Sequence, residues 1–259
     1  MTHRLPLARR LLALGCALAL AAVATGCSWL REYRSRVRAE QSFASGVSAA
    51  ERDDLAQAEK EFAEALRLEP ESASLRARVG LAYMEMRPPQ PVAALPYLQR
   101  AIERDGNQPF PVYLEALLAA AQLGRQQWAR QVLPRAAKRF HDDALALNDI
   151  GYVLVDADEL TADALPLLQR AVELEPRSGI IIDSLGWAYY RLGNLKRAAA
   201  LLQQAVGLAG KDPEIQYHLG VVYADLGRID QARAQFRRAL EISPAFGRAH
   251  AALRALEQK

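Results

Sequence analysis

The stretch DSLGWAYYRLGNLKRAAALLQQAV, residues 183–206, is answered 34 positions later by YHLGVVYADLGRIDQARAQFRRALEISP, residues 217–244, and laying one on the other decides the fold. Leu185-Gly186 falls on Leu219-Gly220, Leu192-Gly193 on Leu226-Gly227, Ala198 on Ala232 and Ala205 on Ala239. Working outward, the same alanine recurs at Ala58, Ala94, Ala129, Ala164, Ala198 and Ala232, with steps of 36, 35, 35, 34 and 34. Four residues on stand Phe62, Leu98, Leu133, Leu168, Leu202 and Phe236, and three further Ala65, Ala101, Ala136, Ala171, Ala205 and Ala239. A fixed period of this length means one helix pair per unit, each burying its apolar face against the next. Small residues at fixed places let the second helix of a unit come close to its neighbours.

Composition agrees with an all-helical chain. Ala and Leu dominate, Glu, Gln and Arg fill much of the rest, and β-branched residues are sparse outside pieces such as Ile180 to Ile182. The first helix of each unit carries a glycine (Gly80, Gly151, Gly186, Gly220) with an apolar or aromatic residue three places later. Glycine inside a helix costs about 1 kcal/mol relative to alanine, so its recurrence implies two backbones that nearly touch.

This pattern resembles the tetratricopeptide repeat (TPR). The resemblance runs over residues 39–246 and implies an all-α solenoid of about six helix-turn-helix units: 39–72, 73–109, 110–143, 144–178, 179–212 and 213–246. Residues 247–259 are expected as a capping helix, with Arg248, Arg254, Glu257 and Lys259 supplying the polar outer surface that a terminal element needs. Two departures stand out. Arg87-Pro88-Pro89-Gln90-Pro91 lengthens one turn, and Leu117 stands where the third unit should have glycine. Pro96 and Pro166 fall near the start of their helices, where proline is tolerated, whereas Pro134 lies well inside one and is expected to kink it. The superhelix is therefore expected to be irregular around residues 87–140.

The N-terminus reads as an export signal. A basic start (Arg4, Arg9, Arg10) precedes the apolar run LLALGCALALAAVA, residues 11–24, and then Thr25-Gly26-Cys27. This end resembles the bacterial lipobox, with Ala24 where leucine is more usual. It implies residues 1–26 as a lipoprotein signal peptide, acylation of Cys27, and 27–38 as a lipid-anchored juxtamembrane segment. Cys16 is rejected as the acylation site, since cleavage there would leave too short an apolar core. An uncleaved spanning anchor over Leu11 to Leu30 and an ordinary secretory peptide are the competing readings. In that resemblance Ser28 after the cysteine implies the outer membrane, facing the periplasm. Residues 28–40 set Trp29, Leu30, Tyr33 and Val37 among four arginines, a pattern that suits either a helix resting on lipid headgroups or a solvated linker.

The chain holds 33 basic and 30 acidic residues, net +3. Three of the basic residues precede Cys27 with no acid beside them, so the chain from Cys27 onward has 30 of each and no net charge. A nucleic-acid partner finds no support in that balance. His141, His218 and His250 have no metal-site spacing, and no phosphate loop, dinucleotide fingerprint or nucleophile elbow occurs. Asp142-Asp143 and Asp156-Ala157-Asp158-Glu159 read as helix caps rather than acid–base pairs. No enzyme, cofactor, metal or small-molecule substrate is expected.

TPR solenoids line their concave surface with first helices. On that face the last three units place Asn148, Tyr152 and Val155; Asp183, Trp187 and Tyr190; Tyr217, Val221 and Ala224. The first three units are plainer, with Phe43, Val47, Ala50, Ala77, Leu81, Met84, Leu114, Leu118 and Ala121. The expected protein-binding groove therefore centres on Asn148, Tyr152, Asp183, Trp187, Tyr190 and Tyr217. Rigid rings bury much area for little lost entropy, which favours partner anchoring. Packing of Trp187 and Tyr190 against adjacent repeats is the competing reading. Asp149 and Asp183 suggest a partner segment that is apolar or aromatic with some basic character. TPR lipoproteins of this plan are of two kinds: adaptors that dock a periplasmic protease or cell-wall hydrolase, and assembly factors for pili or secretion pores. The run from LNDIGYVLVDADE to IIIDSLGWAYYRLGN is similar to the former.

Overall fold

A computed structural model describes residues 7–155 and 160–257, with their side chains from residue 29 onward. Cys27, the acidic stretch 156–159 and the last two residues of the expected cap lie outside the described side chains. Among the described residues there are thirteen helices and no strand. They run as α1 (Leu7–Ala50) and α2 (Leu55–Leu68), α3 (Ala73–Glu85) and α4 (Pro91–Arg104), α5 (Phe110–Gln122) and α6 (Gln126–Arg139), then α7 (Ala144–Val155) and α8 (Thr161–Leu174). After these come α9 (Gly179–Arg191) and α10 (Leu195–Ala209), α11 (Pro213–Asp225) and α12 (Ile229–Ile242), and last α13 (Gly247–Glu257).

Each helix packs substantially only on the next and the next but one along the chain, which is the connectivity of a solenoid. All twelve alanines of the two periodic rows, from Ala58 to Ala239, are fully buried. The glycines of the first helices sit where the second helix comes closest. A Cβ on Gly220 would lie 2.5 Å from Phe236 Cε1, and one on Gly151 2.6 Å from the Leu168 side chain. No side chain fits at such a distance, so the period of glycines in the sequence is the imprint of these contacts.

Where the glycine is missing, the packing changes. Leu117 is fully buried, and α5 makes far less backbone contact with α6 than the first helix of any neighbouring pair makes with its second. A leucine in place of hydrogen holds the two helices apart, which locates the irregularity expected between residues 87 and 140. The long turn after α3 closes on itself: Gln90 N donates to Tyr83 O at 2.9 Å, and Gln90 Nε2 donates to Pro88 O at 2.8 Å. One proline expectation needs correction. Pro96 and Pro166 stand at the sixth residue of α4 and α8, a turn deeper than the tolerated first positions, because those helices begin at Pro91 and Thr161. Pro134 lies inside α6, as expected.

Helix ends follow local chemistry. Asp54, Ser72, Asn194 and Asp212 accept bonds from backbone N–H groups in the first turns of α2, α3, α10 and α11. Asp143 Oδ1 accepts from Ala146 N at 2.9 Å, which makes it the cap expected for α7. Gly193 and Gly227 end α9 and α11 with φ of +76° and +73°, a backbone region that side chains other than glycine rarely enter.

Candidate binding groove

First helices lie against first helices along the whole stack, α1 on α3, α3 on α5, α5 on α7, α7 on α9 and α9 on α11, whereas the second helices approach one another less. The closer row forms the inner surface of the curve. A recess between α1 and α3, lined by Val47, Ala50, Glu51, Ala82, Glu85 and Arg87, opens at its N-terminal end. Burial first, and then the charge of Glu85, pushes the Glu115 carboxyl up from its ordinary range.

The six residues expected of the groove do not share one environment. Tyr152, Trp187, Tyr190 and Tyr217 are half-buried. Asn148 and Asp183, expected as open polar contacts, are buried at 5% exposure each. Asp183 is turned toward the next repeat, where it meets His218. Asn148 Nδ2 donates to Asp149 Oδ1 at 3.2 Å, while Asn148 Oδ1 is buried without a hydrogen-bond partner among the described residues.

Asp183 meets His218, one of the three histidines without metal-site spacing. His218, 1% exposed, donates from Nδ1 to Asp183 Oδ2 at 2.9 Å, and its Nε2 lies 3.3 Å from Glu214 Oε1. Both ring nitrogens thus face carboxylates, an arrangement that favours the doubly protonated, cationic ring. Burial pulls its pKa down, but the two carboxylates outweigh that and hold it up at about 9. Glu214 is ion-paired in turn to Arg248 of α13. Burial opposes the charge of Glu214, yet His218 and Arg248 keep its pKa below the usual carboxylate range. The chain Asp183, His218, Glu214, Arg248 alternates in sign and ties α9 to α11 and α11 to α13. The negative charge expected of Asp183 in the groove is therefore cancelled, leaving Asp149 as the exposed acid of that pair. The signal was available: Asp183 and His218 are 35 residues apart, one repeat of 34 plus one position, and Glu214 and His218 share a helix face at i, i+4.

The rings are shared between packing and exposure. Trp187 stacks on His218 with centroids 4.1 Å apart and on Tyr190 at 4.7 Å. Tyr190 Oη donates to Asp225 Oδ2 at 2.9 Å in the next repeat; burial and then that carboxylate push its pKa up to about 12. Tyr217 packs on Phe236 and Phe246, with the Arg248 guanidinium 5.2 Å from its ring centre. Trp187, Tyr190 and Tyr217 thus pack on neighbouring side chains, as the competing reading has it, and remain partly exposed. Behind them, Gln169 Nε2 donates to Tyr189 Oη at 3.0 Å, and Gln203 Nε2 to Tyr223 Oη at 2.7 Å, the same bond one repeat on.

The sequence profile of the tetratricopeptide repeat matches residues 43–109 and 184–245. The chain carries tetratricopeptide repeats. A TPR repeat-containing protein of Pseudomonas aeruginosa is 42% identical over 57 residues, which are 22% of this chain and 10% of that protein. The chain thus matches about a tenth of that relative's length. Among solved structures, a thermophilic TPR protein of Thermus thermophilus superposes with a TM-score of 0.54 at 22% identity, over 73% of this chain and 100% of that one. MamA from Desulfovibrio magneticus gives 0.52 at 24% identity, over 67% and 96%. These two share the TPR fold with this chain.

Proposed function

We propose that the chain is a lipid-anchored scaffold that holds partner proteins against the inner face of six TPR units spanning 39–246, closed by α13 as a cap. The observation that carries this reading is the row of half-exposed rings, Tyr152, Trp187, Tyr190 and Tyr217, set on the consecutive first helices α7, α9 and α11. Trp187, Tyr190 and Tyr217 are already fixed by ring packing or hydrogen bonding, so a partner gains contact area there without having to order the side chain. A segment with apolar or aromatic side chains suits this face. A basic residue is favoured only near Asp149, since Asp183 is already paired.

The anchor is an acyl group on Cys27, with the protein on the outer membrane and its groove in the periplasm. In that setting it serves as an adaptor that brings a protease or cell-wall hydrolase to its substrates, binding rather than catalysing. Photocrosslinking from position 152 in cells, with mass-spectrometric identification of the captured proteins, tests the groove. Capture of envelope proteins that is lost in Tyr190→Ala with Tyr217→Ala supports the reading, and capture unchanged by that pair sinks it. Cys27→Ala tests the anchor separately: palmitate labelling should disappear and the protein should leave the membrane fraction, whereas a spanning segment would keep it there.

A further inference from the structure

Residues 29–38 of α1 carry a second surface. At about 100° per residue, Trp29, Tyr33, Val37 and Leu30 fall within one stripe roughly a quarter of the helix wide. All four are exposed, Trp29 at 64% and Tyr33 at 55%, and the rings of those two stack with centroids 5.7 Å apart. The solenoid uses another side of the helix. Ser35 Oγ donates to Leu68 O at 2.9 Å, and Ala39 is buried against Ala65 and Leu75. The apolar stripe therefore points away from the protein's own core and has nothing of this chain over it among the described residues.

The charges beside it are divided. Arg36 pairs with Glu69 and Arg38 lies 3.9 Å from Glu64, whereas Arg31 and Arg34 have no partner among the described residues. Glu32, the single acid of the segment, forms no ion pair there. Two free guanidinium groups beside two stacked rings make a surface that is apolar along its centre and cationic along its edge. In sequence it begins two residues after Cys27 and adjoins the uncharged run that starts at Leu11.

We propose that this segment is a contact for an anionic lipid surface. Trp29, Leu30, Tyr33 and Val37 enter the boundary between headgroups and acyl chains, and Arg31 and Arg34 bind headgroup phosphates. Tryptophan and tyrosine favour that depth because one end of each ring is apolar and the other polar. Arginine suits phosphate because its planar fork matches two oxygens at once. The inference rests on the anchored reading above and adds a consequence to it. Helix α1 runs unbroken from these residues to Phe43 and Val47, so contact here sets the attitude of the groove to the bilayer.

The test uses the full lipid-bearing chain reconstituted into vesicles of phosphatidylcholine with or without phosphatidylglycerol, with a portion of the lipid brominated along its acyl chains. Flotation reports the anchor. Quenching of tryptophan emission, taken as the difference between the natural chain and Trp29→Phe, reports the contact. The expected result is flotation with Trp29 quenched, more strongly in the anionic vesicles, and loss of that excess in Arg31→Glu with Arg34→Glu. Flotation with Trp29 unquenched overturns the contact and leaves the anchor standing. Emission of Trp29 that shifts with protein concentration in the absence of vesicles also overturns it, since a second copy would then cover the stripe. Failure to float overturns the anchor itself, and the contact with it.

Discussion

The imidazole of His218 lies 2.9 Å from the carboxylate of Asp183, two side chains on different repeats, both buried and joined as an ion pair beneath the indole of Trp187. The pair links stability to pH. The histidine is held at about 9 in the folded chain against 6.5 as its ordinary value, so folding strengthens proton binding there. The stabilisation is complete below about pH 6.5, declines as pH rises above it, and is gone once pH passes the folded value. A shift of this size corresponds to roughly 3 kcal/mol. Urea midpoints measured from about pH 6 to about pH 10 should fall along the series. In His218→Gln that slope should flatten, and a natural chain with no slope would contradict the pairing.

Removing one partner alone is harsher than removing both. Asp183→Ala leaves a buried imidazolium facing only Glu214, and a cost of about 3 to 5 kcal/mol is expected. Asp183→Leu with His218→Leu should recover much of that loss. A double-mutant cycle by urea denaturation reads the coupling directly.

Glycines divide into two classes by what surrounds them. Gly151→Ala forces a methyl to within 2.6 Å of Leu168 and should destabilise by about 1 to 3 kcal/mol. Gly207, inside α10, has nothing within 4 Å of a Cβ position. Gly207→Ala should therefore stabilise by about 0.5 to 1 kcal/mol through helix propensity alone. Thermal midpoints moving in opposite directions would verify the distinction.

The repeat pattern recommends a glycine at position 117, and the packing there argues against it. Leu117 fills the space between α5 and its neighbours, so Leu117→Gly opens a cavity and should cost about 3 to 5 kcal/mol. A gain in thermal midpoint on that substitution would show that the pair can close, contrary to this account.

Tyr190 separates binding from stacking. Tyr190→Phe keeps the ring on Trp187 and loses only the 2.9 Å bond to Asp225, a change of about 0.5 to 1.5 kcal/mol in stability. Partner capture should survive it and fail in Tyr190→Ala. Equal loss in both variants would move the role from the ring to the hydroxyl.

The parts of this fold that repeat were legible in the sequence, and the parts that occur once were not. Twelve alanines and the glycines of the first helices recur because the same contact is made in unit after unit, so their spacing alone exposed the helix pairs. The half-buried positions of Tyr152, Trp187, Tyr190 and Tyr217 on three consecutive first helices follow from the same period. His218 was missed because its partner sits one repeat back and one position earlier in the unit, an offset that superposing repeats hides. Asn148 and Asp183 were placed in the open groove because a helical wheel gives direction but not depth. Both are buried, Asp183 against His218 of the neighbouring first helix.

In the proposed tethered and partner-bound state, the wider spacing that Leu117 keeps between α5 and α6 has a mechanical consequence. Tension between the tether and a captured protein runs in series through every helix pair, and the extension gathers in the most compliant one. The pairs closed by glycine on leucine or phenylalanine act as stiff links, and the third pair acts as the spring. Pulled from Trp29 and Trp187, the chain should lengthen first between Phe110 and Arg139, with the last three pairs and their aromatic face carried as an intact load.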